Sequence, residues 1–341
     1  MQGPDDDPVA EKVPESGFPT TAEVVARWRP NPLVDRLYDD LGRTLDRLRT
    51  YLPWDSRGRR VFEDRGLVLV PSGFYYPIPT LEDIEDSWEY RTEMPFLDET
   101  IFDRALLAAE LERLMPFAAE FNPPEEGDLD HPAEYAWNMS IFGWSDAIAY
   151  YSILRERKPR RVIEIGSGFS TLIATQAMTK NGSGEVICVE PYPRAFLHDL
   201  DITLVEQPVE VLAVDWFNDN LGPGDVLFID STHVVKTGSD CVYLYLKLLP
   251  ELRNDLLIHV HDVHAPGATP KSWLVTHHLY WTEHYLLLAY LIENPRTRVL
   301  YGSVANALLN RELLEEMMGG KTAIGGGSLW FEQAGREPAE R

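Results

Sequence analysis

RVIEIGSGFST, residues 161–171, joins a short apolar run to a glycine-rich turn and then to the start of an apolar helix. Val162, Ile163 and Ile165 are strand formers crowded into a few positions, as in a strand buried on both faces. Gly166 and Gly168 follow at once, and glycine there lets the backbone take positive φ and lets a ligand approach closely. A helix predicted from about Phe169 to Met178 would offer its free N–H groups to that ligand. This is the shape of a nucleotide-cofactor site, although the same turn serves an ordinary strand-to-helix connection equally well.

Outward from this stretch the chain alternates. A helix through Ala147–Arg155 leads into the strand Arg161–Ile165, then a helix, a strand Glu185–Glu190, a weaker strand near Thr203–Val205 and a strand Val226–Asp230. A helix Asp240–Leu249, a strand Leu256–His261, a helix Glu283–Glu293 and a strand near Val299–Tyr301 follow. An end strand Ser328–Phe331 comes after the glycine run 325–327. Strands alternating with helices imply an α/β fold, a Rossmann-like parallel sheet with helices on both faces. Open sheets of this kind bind ligands at the carboxyl ends of their strands, which singles out Gly166, Glu190, Asp230, His261 and Asp262.

The 341 residues exceed the usual single domain. Residues 1–20, rich in Pro, Asp and Glu, are predicted to form a disordered tail. Residues 21–140 read as an N-terminal helical and aromatic-loop cap, 141–332 as the sheet domain and 333–341 as a frayed tail. In the cap, Leu41, Leu45, Leu48 and Leu52 recur at three- and four-residue spacing and predict an amphipathic helix ending near Pro53. GLVLV, residues 66–70, predicts a short strand ahead of the aromatic loop Phe74, Tyr75 and Tyr76, and a further helix is expected around Ile101–Phe117.

Thirty-one Lys and Arg against 55 Asp and Glu give a formal charge of −24, which argues against a nucleic-acid partner. No apolar run approaches the roughly 18 residues that span a bilayer, and the first residues lack a basic and apolar leader. The expectation is a soluble, cytoplasmic protein with a small-molecule substrate and no membrane partner; a homo-oligomer is left open. Cys188, in the apolar run VICVE, and Cys241 are the only cysteines, so a disulfide framework is not expected.

Three ligands compete for the glycine turn. A triphosphate loop needs Lys followed by Ser or Thr, which is absent, and a dinucleotide turn needs a third glycine where Thr171 stands. Glu164 could pair with an ammonium or sulfonium group, which a pyrophosphate site would avoid. Glu190, ending the second strand, can accept both hydroxyls of a ribose. With EIGSGFST, VEP and FIDSTH, the chain resembles the class I S-adenosylmethionine-dependent methyltransferases over about Phe117–Phe331. That resemblance implies that Gly166, Ser167 and Gly168 wrap the methionine part of the cofactor and that Glu190 holds its ribose. Ser170 and Asp230 are counted with them as cofactor contacts.

Seven of the nine histidines fall between His233 and His284, and three flank Asp262 in HVHDVHAP. Asp230 and the pair His261–Asp262 should meet at neighbouring strand ends, close enough to share one cation, and His233 can face the same cleft. The pattern is similar to the macrolide sugar O-methyltransferases of the mycinamicin and macrocin type. The resemblance implies a metal at Asp230, His261 and Asp262 and a general base at His233. His261 stands where that group has an acid, which leaves magnesium, a softer metal or no metal open. FIDSTH, HVHDVHAP, YWTEHYLL and GGGSLWF also resemble a broad bacterial set of class I methyltransferases, whose members carry Gln at His284 and a bulky apolar residue at His264. Those two histidines are therefore alternative metal ligands or substrate determinants.

Trp281, Glu283 and Tyr285 are expected to line the acceptor pocket, with the aromatic loop as a further candidate. The expected chemistry is methyl transfer from S-adenosylmethionine to a hydroxyl of a small molecule or glycoside, with His233 as base and a divalent metal assisting. Two alternatives stand beside it. One is an oxidative enzyme with iron held by His233 or His261, Asp262 and His264; the other is a cofactor-binding scaffold without activity.

Overall fold

The computed structural model describes residues 32–48, 56–70, 72–139 and 141–336. The tail expected over 1–20 lies outside the described residues, as do Leu52, Pro53 and residues 337–341. The chain divides into two compact units, Met1–Tyr90 with Pro270–Tyr280, and Arg91–Thr269 with Trp281–Arg341.

In the second unit the alternating pattern becomes one seven-stranded sheet in the order β3-β2-β1-β4-β5-β7-β6. The strands are β1 Arg161–Ile165, β2 Glu185–Val189, β3 Thr203–Val205, β4 Val226–Ile229, β5 Leu256–Val260, β6 Thr297–Gly302 and β7 Leu329–Gln333. The strand order reverses beside β1, where β2 lies on one side and β4 on the other, and a ligand crevice forms at such a switch point. The sheet departs from the all-parallel expectation at β7, which runs antiparallel to both β5 and β6. The Val263 N–H donates to the Gly327 carbonyl at 2.7 Å, so the chain leaving β5 meets the chain entering β7 at the same end of the sheet.

The central strands β1, β2, β4 and β5 are buried on both faces because helices cover both, while the edge strand β3 is partly exposed. Val162, Cys188 and Phe228 point into one core with Ile148, Tyr150 and Leu172 from the helices Trp144–Arg157 and Phe169–Asn181. Ile163, Ile165, Ile187, Leu227 and Ile258 point into the other, against Phe217, Leu248 and Leu287. Residues 91–140, read from the sequence as part of the cap, belong to this unit. Their helix Arg104–Glu120, N-capped by the Asp103 carboxylate, sends Leu111, Leu114 and Ala118 into the first core. The tail expected from 333 is anchored over its first residues. The Gln333 Nε2 donates to the Leu249 carbonyl at 2.7 Å and the Gly335 N–H to Asp255 Oδ1 at 2.8 Å.

In the first unit the helices are Pro32–Leu48, Ser56–Glu63, Leu81–Asp86 and Lys271–Val275. The run 66–70 forms no strand, and Leu67, Val68 and Val70 are exposed. Thr80 and Asp83 close a reciprocal cap on Leu81–Asp86, at 3.1 and 2.9 Å. Among the described residues no helix is long and apolar enough to cross a membrane.

The glycine run has a packing reason. A Cβ on Gly326, whose φ is +102°, would lie 2.3 Å from the carboxylate of Asp146. Gly326→Ala adds overlap to backbone strain and is expected to lower the unfolding free energy by about 3 kcal/mol, read from the urea midpoint. An unchanged midpoint would show that the run tolerates a side chain.

Candidate active site

The crevice at the switch point starts from Gly166. Its φ is +78°, and a Cβ there would sit 1.9 Å from the backbone oxygen of Asp230. The Asp230 N–H donates to the Ile165 carbonyl at 2.8 Å, so the ends of β1 and β4 touch through a residue that must lack a side chain. A Cβ on Gly168 would meet nothing within 4 Å, which leaves an open cradle in front of the helix Phe169–Asn181. Ile141, Phe142, Gly166, Ser167, Gly168, Phe169, Ser170, Glu190, Arg194 and Asp230 line a cavity of about 170 Å³. Glu190 accepts from the N–H groups of Ser167 at 3.3 Å and Tyr192 at 2.8 Å, which fixes its carboxylate at the tip of β2. The Arg194 guanidinium lies 5.0 Å from the Phe169 ring centroid. A larger groove of about 480 Å³ lies at the opposite ends of β5 and β6 and holds none of these residues.

Glu164 is not on this cavity. It is fully buried on the face packed by the helices Trp144–Arg157 and Phe169–Asn181, where it accepts from the Thr171 hydroxyl at 2.5 Å and the Tyr150 hydroxyl at 2.9 Å. Thr171 also accepts from the Gly168 N–H at 3.2 Å. The expectation that Glu164 pairs with a cationic ligand is therefore corrected: it braces the glycine turn from beneath. Thr171, read only as a missing glycine, is the link between them.

Beside the cavity four carboxylates surround two imidazoles. His233 directs Nε2 to Asp230 Oδ1 at 3.2 Å and to Asp262 Oδ2 at 3.3 Å, and Nδ1 to Glu283 Oε2 at 2.8 Å. His261 directs Nε2 to Asp146 Oδ2 at 3.2 Å, with Nδ1 3.5 Å from both Asp230 and Asp262. Both His233 and Asp262 have positive φ, +60° and +56°, strain that the surrounding contacts hold in place. The His233 carbonyl accepts from the N–H groups of Thr282 and Glu283 at 2.8 and 3.1 Å, fastening this residue to the start of the helix Glu283–Leu291.

The electrostatics follow from the crowding. Burial opposes charge on His233, but hydrogen bonds to Asp230 and Glu283 outweigh it and push the imidazole up to about 10. Burial likewise opposes charge on His261, and the Asp262 and Asp230 carboxylates raise it well above the usual histidine value. Burial would raise Asp230, yet His261 and His233 hold its carboxyl far below the usual range. His264 and His284 behave oppositely: burial pushes them down to about 4 and about 3.

Several expected roles change. Glu283 does not line an acceptor pocket; it is buried beneath His233 and also accepts from Tyr245 at 2.9 Å and Ser231 at 3.1 Å. Tyr245 reaches it from a π-helical turn, Leu244–Leu248, inside the helical segment expected over 240–249. Tyr285 packs on Phe96 and His284, whereas the Trp281 ring lies 4.5 Å from that of His233. Among the described residues the group whose ligand atoms lie within 4.8 Å of one another is Asp230, His233 and Asp262. His261, expected in that set, is held by Asp146 and lies against Phe142 at 4.8 Å. His284 faces Thr269 instead, at 3.5 Å, and neither it nor His264 joins the group. The two-imidazole, one-carboxylate set expected for iron is thus replaced by one imidazole and two carboxylates. Donor separations of 3.2 and 3.3 Å suit neighbouring positions around one small divalent ion, so these three residues fit a metal.

Asp146 escaped the sequence reading. It accepts from the N–H groups of Gly327 at 2.9 Å and Ser328 at 3.0 Å and from the Ser303 hydroxyl at 2.5 Å, besides facing His261. The available signal was an acid in a helix whose residues 145–154 are otherwise apolar or small and are all buried. Arg194 carried no comparable signal.

A family profile described as "Methyltransferase domain" matches residues 163–263. An uncharacterised protein of Archaeoglobus fulgidus is 31% identical over 172 residues, covering 47% of this chain and 77% of that protein. The structure of the plantazolicin methyltransferase BpumL with S-adenosylhomocysteine is similar at 14% identity and a TM-score of 0.36, covering 74% of this chain and 90% of that one. The tomaymycin-synthesis O-methyltransferase TomG of Streptomyces achromogenes, with S-adenosylmethionine, gives 15% identity and a TM-score of 0.34, covering 67% and 90%. The profile speaks for a methyltransferase domain over residues 163–263 and not for the macrolide sugar group.

Burial, opposed by the hydrogen bonds from Thr171 and Tyr150, pushes the Glu164 carboxyl up from 4.5 to about 7. The folded protein then holds this proton longer than the unfolded chain. The stability it supplies is complete below pH 4.5 and is lost as pH rises through about 7. Glu164→Gln should remove this loss, on the order of 3 kcal/mol. Urea midpoints at about pH 5 and about pH 8 test it: the wild type should fall further than the variant, and parallel falls would rule the linkage out.

Proposed function

A methyltransferase-domain profile matches residues 163–263, and we propose that the chain is a class I S-adenosylmethionine-dependent methyltransferase that methylates a hydroxyl of a small molecule or glycoside, with His233 taking the proton. The observation that carries this reading is the fixing of one imidazole by three carboxylates beside the glycine cradle. Nδ1 is committed to Glu283, and Nε2 is turned toward the carboxylates at the ends of β4 and β5.

The cradle offers groups suited to the cofactor. Gly166–Ser167–Gly168 would hold its methionine part against the end of β4, and Glu190 would take its ribose hydroxyls. S-adenosylmethionine supplies a methyl carbon made electrophilic by the neighbouring sulfonium. With the cofactor bound, His233 Nε2 would take the proton of the acceptor hydroxyl as its oxygen receives the methyl group and the thioether leaves neutral. Asp230 and Asp262 then face the imidazolium, and Glu283 keeps the ring oriented. The ring must be neutral to begin the step, while its carboxylates favour the proton. A sulfonium charge brought to the cleft opposes that proton and promotes its release.

A divalent cation at Asp230, His233 and Asp262 would lower the hydroxyl pKa and orient it. It would use the same Nε2 that serves as base, so the two roles exclude each other at His233. Trp281, whose ring lies 4.5 Å from and tilted against that of His233, would border the acceptor.

Incubation with methyl-labelled S-adenosylmethionine and a panel of hydroxylated small molecules and glycosides tests the reading. Label transferred to oxygen supports it, and transfer to nitrogen or carbon acceptors only would overturn it. His233→Ala should lower transfer by about 10²–10⁴-fold while calorimetric binding of S-adenosylhomocysteine persists. Unchanged turnover removes His233 from the mechanism. Because the base works deprotonated and its value is raised, kcat/KM in the wild type should climb with pH on the alkaline side of neutrality. Glu190→Ala should weaken S-adenosylhomocysteine by about 10–100-fold, and an unaltered Kd would move the ribose elsewhere.

A further inference from the structure

The helix Pro32–Leu48 lies outside the catalytic reading. Val34, Tyr38, Leu41, Leu45 and Leu48 follow one another at spacings of four, three, four and three. The mean of 3.5 residues is the repeat of a helix that lays one seam along another helix, and Leu52 continues it in the sequence by a further four. None of the helix is buried: Tyr38 is 67% exposed, Leu41 54%, Leu48 37% and Val34 36%. With Gly42 near its middle, a 17-residue helix has little stability in water without a packing partner.

The charge along the helix selects the partner. Its first half carries Asp35, Asp39 and Asp40 against Arg36, and its second half Arg43 and Arg47 against Asp46. The halves are therefore −2 and +1. Two copies side by side in the same direction would set three aspartates against three. Two copies in opposite directions set the acidic half of each against the basic half of the other, and the seam then pairs Tyr38 with Leu48 and Leu41 with Leu45 of the second copy. We propose that Pro32–Leu48 is a self-association surface on which a second copy of this chain docks its own helix antiparallel, making the protein a dimer.

Light scattering on the full-length protein after size exclusion is expected to give twice the chain mass at micromolar concentration. The double substitution Leu41→Glu with Leu45→Glu places four carboxylates in the paired seam. It should return the protein to one chain mass, or weaken dimerisation at least about a hundredfold, with S-adenosylhomocysteine binding unchanged. For orientation, Tyr38→Cys combined with Leu48→Cys should cross-link two chains on mild oxidation, since Cys188 and Cys241 are buried. Leu48→Cys alone should not. A monomeric wild type, a dimer indifferent to the glutamates, or cross-linking by Leu48→Cys alone would each overturn the proposal.

Discussion

Asp146 is the point on which the carboxyl edge of the sheet is assembled. Its carboxylate receives two backbone N–H groups from the start of β7, a hydroxyl from the chain after β6, and the imidazole of His261 from the end of β5. A buried carboxylate is expensive to desolvate, and these donors offset that cost only while all four segments stay in place. Crowding at this edge explains why residues 326 and 327 are glycines. Gly326 must approach the carboxylate itself, and a Cβ on Gly327 would come within 2.9 Å of the Asp262 Cα.

From that anchor the charges of the site can be followed inward. His261 is held from one side by Asp146 and faces Asp230 and Asp262 from the other, so it acts as an internal counter-ion. His233 occupies the opposite side of the same two carboxylates with Glu283 behind it. Four carboxylates against two imidazolium ions leave a formal balance of −2. Such a field favours a cationic ligand, whether a sulfonium or a metal ion, and disfavours a phosphate. The preference first read from the missing third glycine thus has a second basis in the site itself.

What could be read from the sequence followed from local chemistry. The strands of the parallel part are compact apolar runs, and their boundaries fell within about one residue of those found. The glycine turn, Glu190, Asp230, His233 and Asp262 were legible because they sit at strand ends, where position in the chain nearly fixes position in space. The roles of Glu164 and Glu283 were not, since each depends on which way its side chain turns once the helices pack. Glu164 shares the β1 face that carries Val162, the one packed by the helices Trp144–Arg157 and Phe169–Asn181. Glu283 begins a helix whose start is capped by His233, which turns the acid inward. The run 66–70 shows the converse: its composition suits a strand, but strand formation needs a neighbour to pair with, and among the described residues the run pairs with none.

The bond from Gly327 to Asp146 joins residues 181 positions apart, and that from His261 to Asp146 spans 115. Closures of that length yield nothing until most of the chain between them is ordered, so the carboxyl edge must form late in folding. The cavity lining, from Ile141 to Asp230, is complete in a growing chain well before residue 327 exists, whereas the closure on Asp146 waits for it. During synthesis the capacity to grip a cofactor would thus precede the capacity to use it.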